Sequence, residues 1–277
     1  MDLAMIGLGK MGANMALRLL RGGHRVFGYS RSAGTVAQAR ERGVPATTDL
    51  AEAIAALPQP RVVWLMVPAG EAVDQTLAAL RPLLAAGDIV VDGGNSWYRD
   101  TLRRAAELEQ TGLRFADCGT SGGVWGLTEG YSLMVGGAED LVEYLRPLLE
   151  TLAPAPDRGW GRVGPVGAGH FVKMIHNGIE YGMMQAYAEG FAIMRRKAEF
   201  ELDLGAVARI WQHGSVIRSW LLELIAAALA EDAELEEIAP LVPDSGEGRW
   251  TVQEAIDLDQ PAPVITLALI QRLRSRD

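Results

Sequence analysis

Leu3-Ala4-Met5-Ile6-Gly7-Leu8-Gly9-Lys10-Met11-Gly12 is the stretch that decides the fold. Four apolar residues make a short buried strand. The run then breaks into G-x-G-x-x-G, and Met11 to Leu20 resumes with apolar residues at helical spacing. Glycines at those three places permit a tight turn and let backbone N–H groups close on a pyrophosphate at the helix N-terminus. The same glycines also suit an ordinary βα turn. Strand, turn and helix together at the start of the chain favour a dinucleotide site on a Rossmann-like sheet. Gly7, Leu8, Gly9, Lys10, Met11 and Gly12 are therefore cofactor-binding candidates.

The next strand outward is Arg25-Val26-Phe27-Gly28-Tyr29, and the residues at its end choose the cofactor. A carboxylate there holds the ribose 2′-OH of NAD. This chain carries Ser30-Arg31-Ser32 instead. A guanidinium matches phosphate by its fork geometry, and the two hydroxyls add donors. The expected cofactor is NADP, with NAD as the alternative. The plain structural reading is that Arg31 only opens the next helix.

Strands and helices then alternate. Helices are expected at 33–42, 49–57 (with Thr48 as N-cap), 71–84, 98–111 and 139–152, and strands at 62–67, 88–92, 114–118 and 131–135. Alternation of this kind makes an open α/β sheet whose ligands lie beyond the carboxyl ends of the strands. The turns at those ends are Val67-Pro68-Ala69-Gly70, Gly93-Gly94-Asn95-Ser96 and Gly119-Thr120-Ser121-Gly122-Gly123. Glycine and proline punctuate residues 161–167, and no strand pattern returns after Phe171. Helices are expected at 168–197, 203–231, 233–240, 250–257 and 264–275. The expected architecture is an α/β Rossmann-like N-terminal domain, residues 1–163, followed by an all-α C-terminal domain, residues 164–277, for substrate and oligomerisation.

The 277 residues carry a formal net charge of -9, which argues against nucleic acid or an anionic membrane as the main partner. The single cysteine, Cys118, rules out a disulfide framework and a zinc set within the chain and reads as a small core residue. No signal peptide pattern precedes the first strand, and no apolar run has the length of a membrane span. A cytoplasmic protein is expected.

Gly169-His170-Phe171-Val172-Lys173-Met174-Ile175-His176-Asn177-Gly178-Ile179-Glu180-Tyr181-Gly182 opens the helical part. In a helix, residues seven apart lie two turns apart on nearly one face, so Lys173 and Glu180 share a face with Asn177 between them. Phe171, Val172, Met174, Ile175, Ile179, Met183 and Met184 are apolar, so a mostly buried helix with one polar stripe is expected. A structural ion pair accounts for the stripe in the plain view. A Rossmann-like domain followed by a helix bearing Lys and Asn points instead to oxidation of a hydroxy acid. The lysine would then be the base, its pKa lowered by desolvation.

At this point the chain resembles the decarboxylating 6-phosphogluconate dehydrogenases, and more closely their short form, within the β-hydroxyacid dehydrogenases. The resemblance rests on Gly7 to Met15, Val67-Pro68-Ala69-Gly70, Val91-Asp92-Gly93-Gly94-Asn95-Ser96, Ser121-Gly122-Gly123 and, above all, Gly169 to Gly182. It implies that Lys173 is the general base and Glu180 the acid that protonates C1 to give ribulose 5-phosphate. No metal is implied. Asn95, Ser121, Gly122, Gly123, His176, Asn177 and Tyr181 match substrate contacts, and Arg272 matches the arginine that meets the substrate phosphate. Val67, Pro68 and Ala69 match residues lining the cofactor, with Asn95 bridging both ligands. A sugar acid phosphate is the implied substrate, and a homodimer or homotetramer the implied assembly.

Two features depart from the longer members. Ser245 stands where they carry a phosphate-binding lysine, and the loop that follows reads Gly246-Glu247-Gly248-Arg249-Trp250-Thr251. The sequence given ends at Asp277, without their second helical half. A non-decarboxylating β-hydroxyacid dehydrogenase acting on another sugar acid is the rival within enzymes. A cofactor-binding regulator without turnover is the rival outside them.

Overall fold

The computed structural model describes residues 1–276. The chain divides into two compact units, Met1–Met174 and Ile175–Asp277. In the first, strands and helices alternate: β1 (Asp2–Ile6), α1 (Lys10–Arg21), β2 (Arg25–Tyr29), α2 (Ala33–Glu41), β3 (Ala46–Thr47), α3 (Leu50–Ala55), β4 (Val62–Leu65), α4 (Glu71–Leu80) and β5 (Ile89–Asp92). Then come α5 (Tyr98–Glu109), β6 (Arg114–Ser121), the short α6 (Gly126–Glu129), β7 (Ser132–Gly136), α7 (Glu139–Leu152) and β8 (Trp160–Gly164). Helix α8 (Ala168–Arg196) begins in the first unit and continues into the second.

The strands form one sheet in the order β3-β2-β1-β4-β5-β6-β7-β8. Every neighbouring pair is parallel except β6 with β7. The central strands are apolar on both faces because both faces are covered. Leu3, Met5, Val62, Trp64, Ile89 and Val91 enter the core on one face, together with residues of α1 and α7. Ala4, Ile6, Val63, Leu65 and Val90 enter the core on the other, with residues of α3, α4 and α5. The period of two along each strand assigns alternate residues to opposite layers.

The second unit contains the rest of α8 and α9 (Leu204–Trp211), α10 (Trp220–Glu231), α11 (Glu247–Asp257) and α12 (Pro263–Arg274). Leu204 and Ala208 of α9 pack with Leu222, Ala226 and Leu229 of α10, flanked by Tyr187, Phe191 and Met194 of α8. Tyr181 packs with Ala268 and Leu269 of α12. Among the described residues no helix is long and apolar enough to cross a membrane.

Several local expectations are corrected. Asp49, not Thr48, caps α3, accepting from the N–H groups of Ala51 (2.9 Å) and Glu52 (3.2 Å). The run 203–231 is two helices, because Gly214 turns the chain at φ 75° and Ser219 starts α10 by accepting from Leu222 N–H. Residues 233–240 are not helical. The Asp232 carboxylate takes the N–H groups of Glu234 and Glu237, which competes with a helical ladder, and Leu235 sits at φ 55°. Ser121 is the last residue of β6 rather than part of a loop. The face of α8 expected to be buried is only partly so: Ile179, Met183 and Met184 are exposed.

Candidate active site

A groove of about 550 Å³ lies over the carboxyl ends of β1, β2 and β4. Gly7, Leu8, Gly9, Ser30, Arg31, Ser32, Val67 and Pro68 all line it. The glycines serve different ends. Gly7 has φ 99°, and a Cβ on it would sit 2.4 Å from the Met66 carbonyl oxygen. A Cβ on Gly12 would sit 2.0 Å from the Gly7 carbonyl oxygen, so its absence lets α1 pack onto the turn. A Cβ on Gly9 would meet no protein atom within 4 Å, so the space it leaves belongs to the groove. No side chain caps α1 at Gly9. An uncapped helix start facing an open groove is a cradle for a pyrophosphate, and a dinucleotide fits it.

At the ribose end, Ser32 Oγ accepts from Thr35 N–H (3.2 Å) and caps α2, while Ser30 Oγ accepts from Ser32 N–H (3.3 Å). Each hydroxyl accepts from the backbone and keeps its own proton to donate outward. Arg31 is exposed between them. Lys10, Met11, Gly12, Ala69 and Asn95 do not line the groove. The far wall was missed in the sequence: Ala72, Gln75, Thr76 and Ala79 of α4 line it. Their i, i+3, i+4, i+7 spacing is the available signal.

Beyond β5 and β6 lies the loop region assigned to substrate. The buried Asp92 carboxylate accepts from Gly94 N–H (3.2 Å) and from the Ser96 hydroxyl (2.7 Å), which fixes the turn carrying Asn95. Asn95 Oδ1 is buried without a hydrogen-bond partner. The Thr120 hydroxyl donates to the Gly93 carbonyl oxygen (3.1 Å), tying this turn to the end of β6. Gly122 and Gly123 follow with φ 130° and 53°, conformations that favour glycine. Helix α1 holds the next residues: Asn14 donates to the Val124 carbonyl oxygen (3.1 Å), and Arg18 to those of Leu127 (3.2 Å) and Ala153 (2.6 Å). Burial pushes the Tyr131 hydroxyl up to about 12.

Lys173 is 4% exposed and lies against β6. A Cβ on Gly119 would sit 2.3 Å from Lys173 Cβ and 2.7 Å from the Gly169 carbonyl oxygen. A Cβ on Gly169 would sit 2.4 Å from the Met134 carbonyl oxygen. Two glycines therefore let the first turn of α8 press onto the sheet. Asp117 of β6 anchors that turn, accepting from Gly167 N–H (2.6 Å) and His170 N–H (2.8 Å). Burial holds the Asp117 carboxyl above the usual carboxylate range, although His170 and these two N–H groups oppose the shift. Asp92 and Asp117 received no role from sequence, because a carboxylate in a strand sequence does not show that it caps a neighbouring turn.

In the second unit, His176 Nδ1 lies 3.0 Å from Asn177 Oδ1 and 3.9 Å from Glu180 Oε2. Tyr181 is 5% exposed, with its hydroxyl 3.4 Å from Ser245 Oγ. The Arg272 guanidinium lies 3.4 Å from the centre of the Tyr181 ring and donates to the Pro243 carbonyl oxygen (3.0 Å). Gly248 packs flat on the same ring, where a Cβ would come within 2.3 Å. Arg249 is held by Asp244. Within this unit the structure thus brings Tyr181, Ser245 and Arg272 together.

The family model described as the NAD binding domain of 6-phosphogluconate dehydrogenase matches residues 2–162, and that for the 6-phosphogluconate dehydrogenase C-terminal domain matches residues 169–277. An NAD(+)-dependent, decarboxylating 6-phosphogluconate dehydrogenase of Haloferax volcanii is 44% identical over 277 residues, covering 100% of this chain and 91% of that protein. An NADP(+)-dependent, decarboxylating one of Bacillus subtilis is 38% identical, covering 99% of this chain and 61% of that protein. The solved 6-phosphogluconate dehydrogenase of Plasmodium falciparum superposes with a TM-score of 0.89 at 32% identity, covering 99% of this chain and 62% of its own.

Proposed function

The chain belongs to the 6-phosphogluconate dehydrogenase family of NAD(P)-dependent oxidoreductases, and from that premise we propose that it converts 6-phosphogluconate to ribulose 5-phosphate and carbon dioxide, with NADP as the preferred cofactor. The observation that carries this is the buried Lys173, seated on the sheet by Gly119 and Gly169, on the helix whose sequence matches the family.

The nicotinamide cofactor, when bound, accepts a hydride from C3 of the substrate. Gly7, Gly9 and Gly12 make its pyrophosphate cradle, and Ser30, Arg31 and Ser32 meet the ribose end. Lys173 takes the proton of the 3-hydroxyl. The new C3 carbonyl then accepts the electron pair released when the bond to the carboxyl carbon breaks and carbon dioxide leaves. The Lys173 ammonium stabilises the resulting enediolate oxygen. Glu180 delivers a proton to the carbon that carried the carboxyl group, the substrate's C2, which becomes C1 of ribulose 5-phosphate. Asn95, Ser121, Gly122, Gly123, His176, Asn177 and Tyr181 orient the sugar acid. Arg272 meets the phosphate, and its stacking on Tyr181 supports the assignment of both residues to one ligand.

Residues 1–163 serve as the dinucleotide-binding domain in this scheme, and residues 164–277 as the substrate and oligomerisation domain. Ile193, Ile210, Val264, Leu267 and Ile270 are all more than half exposed, which supports a homodimer or homotetramer. Light scattering at micromolar concentration tests that. The lone buried Cys118 fits a reducing compartment, the cytoplasm.

The deciding experiment follows reduced cofactor and released carbon dioxide together during incubation with 6-phosphogluconate. Equal amounts of both are expected. Ser245 in place of a lysine, and the buried Glu247 beside it, favour a second scheme in which another hydroxy acid is oxidised without decarboxylation. Cofactor reduction without carbon dioxide would select that scheme, and no reduction would reject both.

A further inference from the structure

His170 stands three residues before Lys173 and is 1% exposed. Its ring Nδ1 lies 2.7 Å from Thr101 Oγ1 on α5. The Thr101 hydroxyl also reaches the Trp97 carbonyl oxygen at 3.2 Å. When its one proton serves that carbonyl, the oxygen is left to accept from the ring, so Nδ1 carries the hydrogen. Asp117 Oδ2, 3.9 Å from Nδ1, favours the same tautomer, because its negative charge attracts an N–H and repels a lone pair. The backbone N–H of His170 donates to that same oxygen. Nε2 is left buried without a partner. A buried unpaired nitrogen is costly. A leucine in this slot would avoid that cost but would lose the hydrogen bond from α8 to α5.

We propose that His170 is a positioning residue: its ring, clamped between Thr101 of α5 and Asp117 of β6, fixes the first turn of α8 and so sets where the Lys173 amine lies. This rests on Lys173 being the base of the proposed reaction. Asp117 stops the turn from sliding along β6. The hydrogen bond to Thr101 stops it from rotating about its own axis. Gly119 and Gly169 bring the turn to the sheet but, having no side chains, cannot hold its rotation. The Phe171 ring, edge-on to Tyr98 of α5 with 5.3 Å between centroids, gives the turn an apolar contact with that helix, whereas the His170 ring gives it a directional hydrogen bond.

The test compares His170→Leu, which removes the clamp, with His170→Asn, whose amide keeps a donor near the Nδ1 position. Displacing a reacting group by about 1 Å costs on the order of a hundredfold in rate. His170→Leu is therefore expected to lower kcat about ten- to a hundredfold, with KM and cofactor affinity little changed. His170→Asn should recover most of the rate. Thr101→Val removes the other half of the bond and should reproduce the loss, which keeps the test open if His170→Leu does not fold. Amide hydrogen exchange over Gly167–Met174 provides a readout free of turnover: faster in His170→Leu and Thr101→Val, and native-like in His170→Asn. Equal rates for the Leu and Asn variants would overturn the proposal. So would a lowered melting temperature with unchanged kcat, or unchanged exchange. If the unmodified protein fails to turn over 6-phosphogluconate, the substrate assignment falls, while the exchange comparison still decides whether the clamp exists.

Discussion

Replacing Arg31 by alanine tests the cofactor assignment at its most exposed point. Arg31 lies between two serines whose oxygens already accept backbone N–H groups, so their protons are free for an anion, and α2 starts immediately beyond. Ser30, Arg31 and Ser32 all line the groove, as does Thr35 in the first turn of α2. A charge-assisted hydrogen bond contributes roughly 1.5–3 kcal/mol. Ordering an exposed arginine costs about 0.5–1.5 kcal/mol. Midway through both ranges the net is about 1.2 kcal/mol, and since about 1.4 kcal/mol is tenfold, Arg31 supplies roughly eightfold preference. Initial rates with NADP and NAD at saturating 6-phosphogluconate give kcat/KM for each. Arg31→Ala should lower the NADP value by about tenfold and leave the NAD value within about twofold. Adding Ser30→Asp should reverse the preference, because a carboxylate repels the 2′-phosphate and accepts from a free 2′-OH. A higher kcat/KM with NAD in the unmodified protein would refute the argument, and the NAD-dependent relative makes that outcome a real alternative.

Glu180→Gln should depress turnover far more than substrate affinity, because the acid acts after hydride transfer; unchanged turnover in steady-state assays would remove Glu180 from the mechanism. Gly119→Ala places a methyl 2.3 Å from Lys173 Cβ and against the Gly169 backbone. The crowding should cost about 1–3 kcal/mol in urea unfolding and at least tenfold in kcat, and near-normal values for both would show that α8 is not seated there. The Arg104 guanidinium, hydrogen-bonded to Asp74, holds the Asp74 carboxyl down at about 2, with Arg103 assisting. A depressed carboxylate stabilises the fold fully above its ordinary value near 3.8 and loses that contribution as pH falls through about 2. The stability gap between the unmodified protein and Asp74→Asn should therefore close across that window; a gap that persists at the acid end would count against the pairing.

The sheet's centre was legible because its strands are buried on both faces and read as short apolar runs between turn signals. Residues 25–29 and 139–152 appear in the structure with the limits read from sequence. The two outer strands were not. β3 has two residues, and β8 is Trp160-Gly161-Arg162-Val163-Gly164, with two glycines and no alternation. Each is a strand because a neighbour offers hydrogen-bonding groups, and that is information no local window holds. The site divides in the same way. Ser30-Arg31-Ser32 was readable as chemistry attached to a strand end. The α4 wall was not, because Gln75 and Thr76 look like any exposed helical face until the groove is seen beside them.

Glycine shows best where sequence stops and structure begins. Gly9 and Gly119 both sit just beyond or near the end of a strand, in runs rich in glycine, and the sequence treats them alike. A Cβ on Gly9 would enter open groove, whereas one on Gly119 would enter the Lys173 side chain. The first glycine keeps protein away from a ligand; the second lets protein approach protein. Both meet the same need, since the backbone must come closer than a side chain allows. At Gly9 the close approach exposes donors to a phosphate. At Gly119 it places a lysine stem on a strand whose end carries Ser121, Gly122 and Gly123. Cofactor cradle and proposed base are thus both referred to the carboxyl ends of one sheet, and a group that takes a hydride from a carbon and one that takes the proton from its hydroxyl need such a common frame.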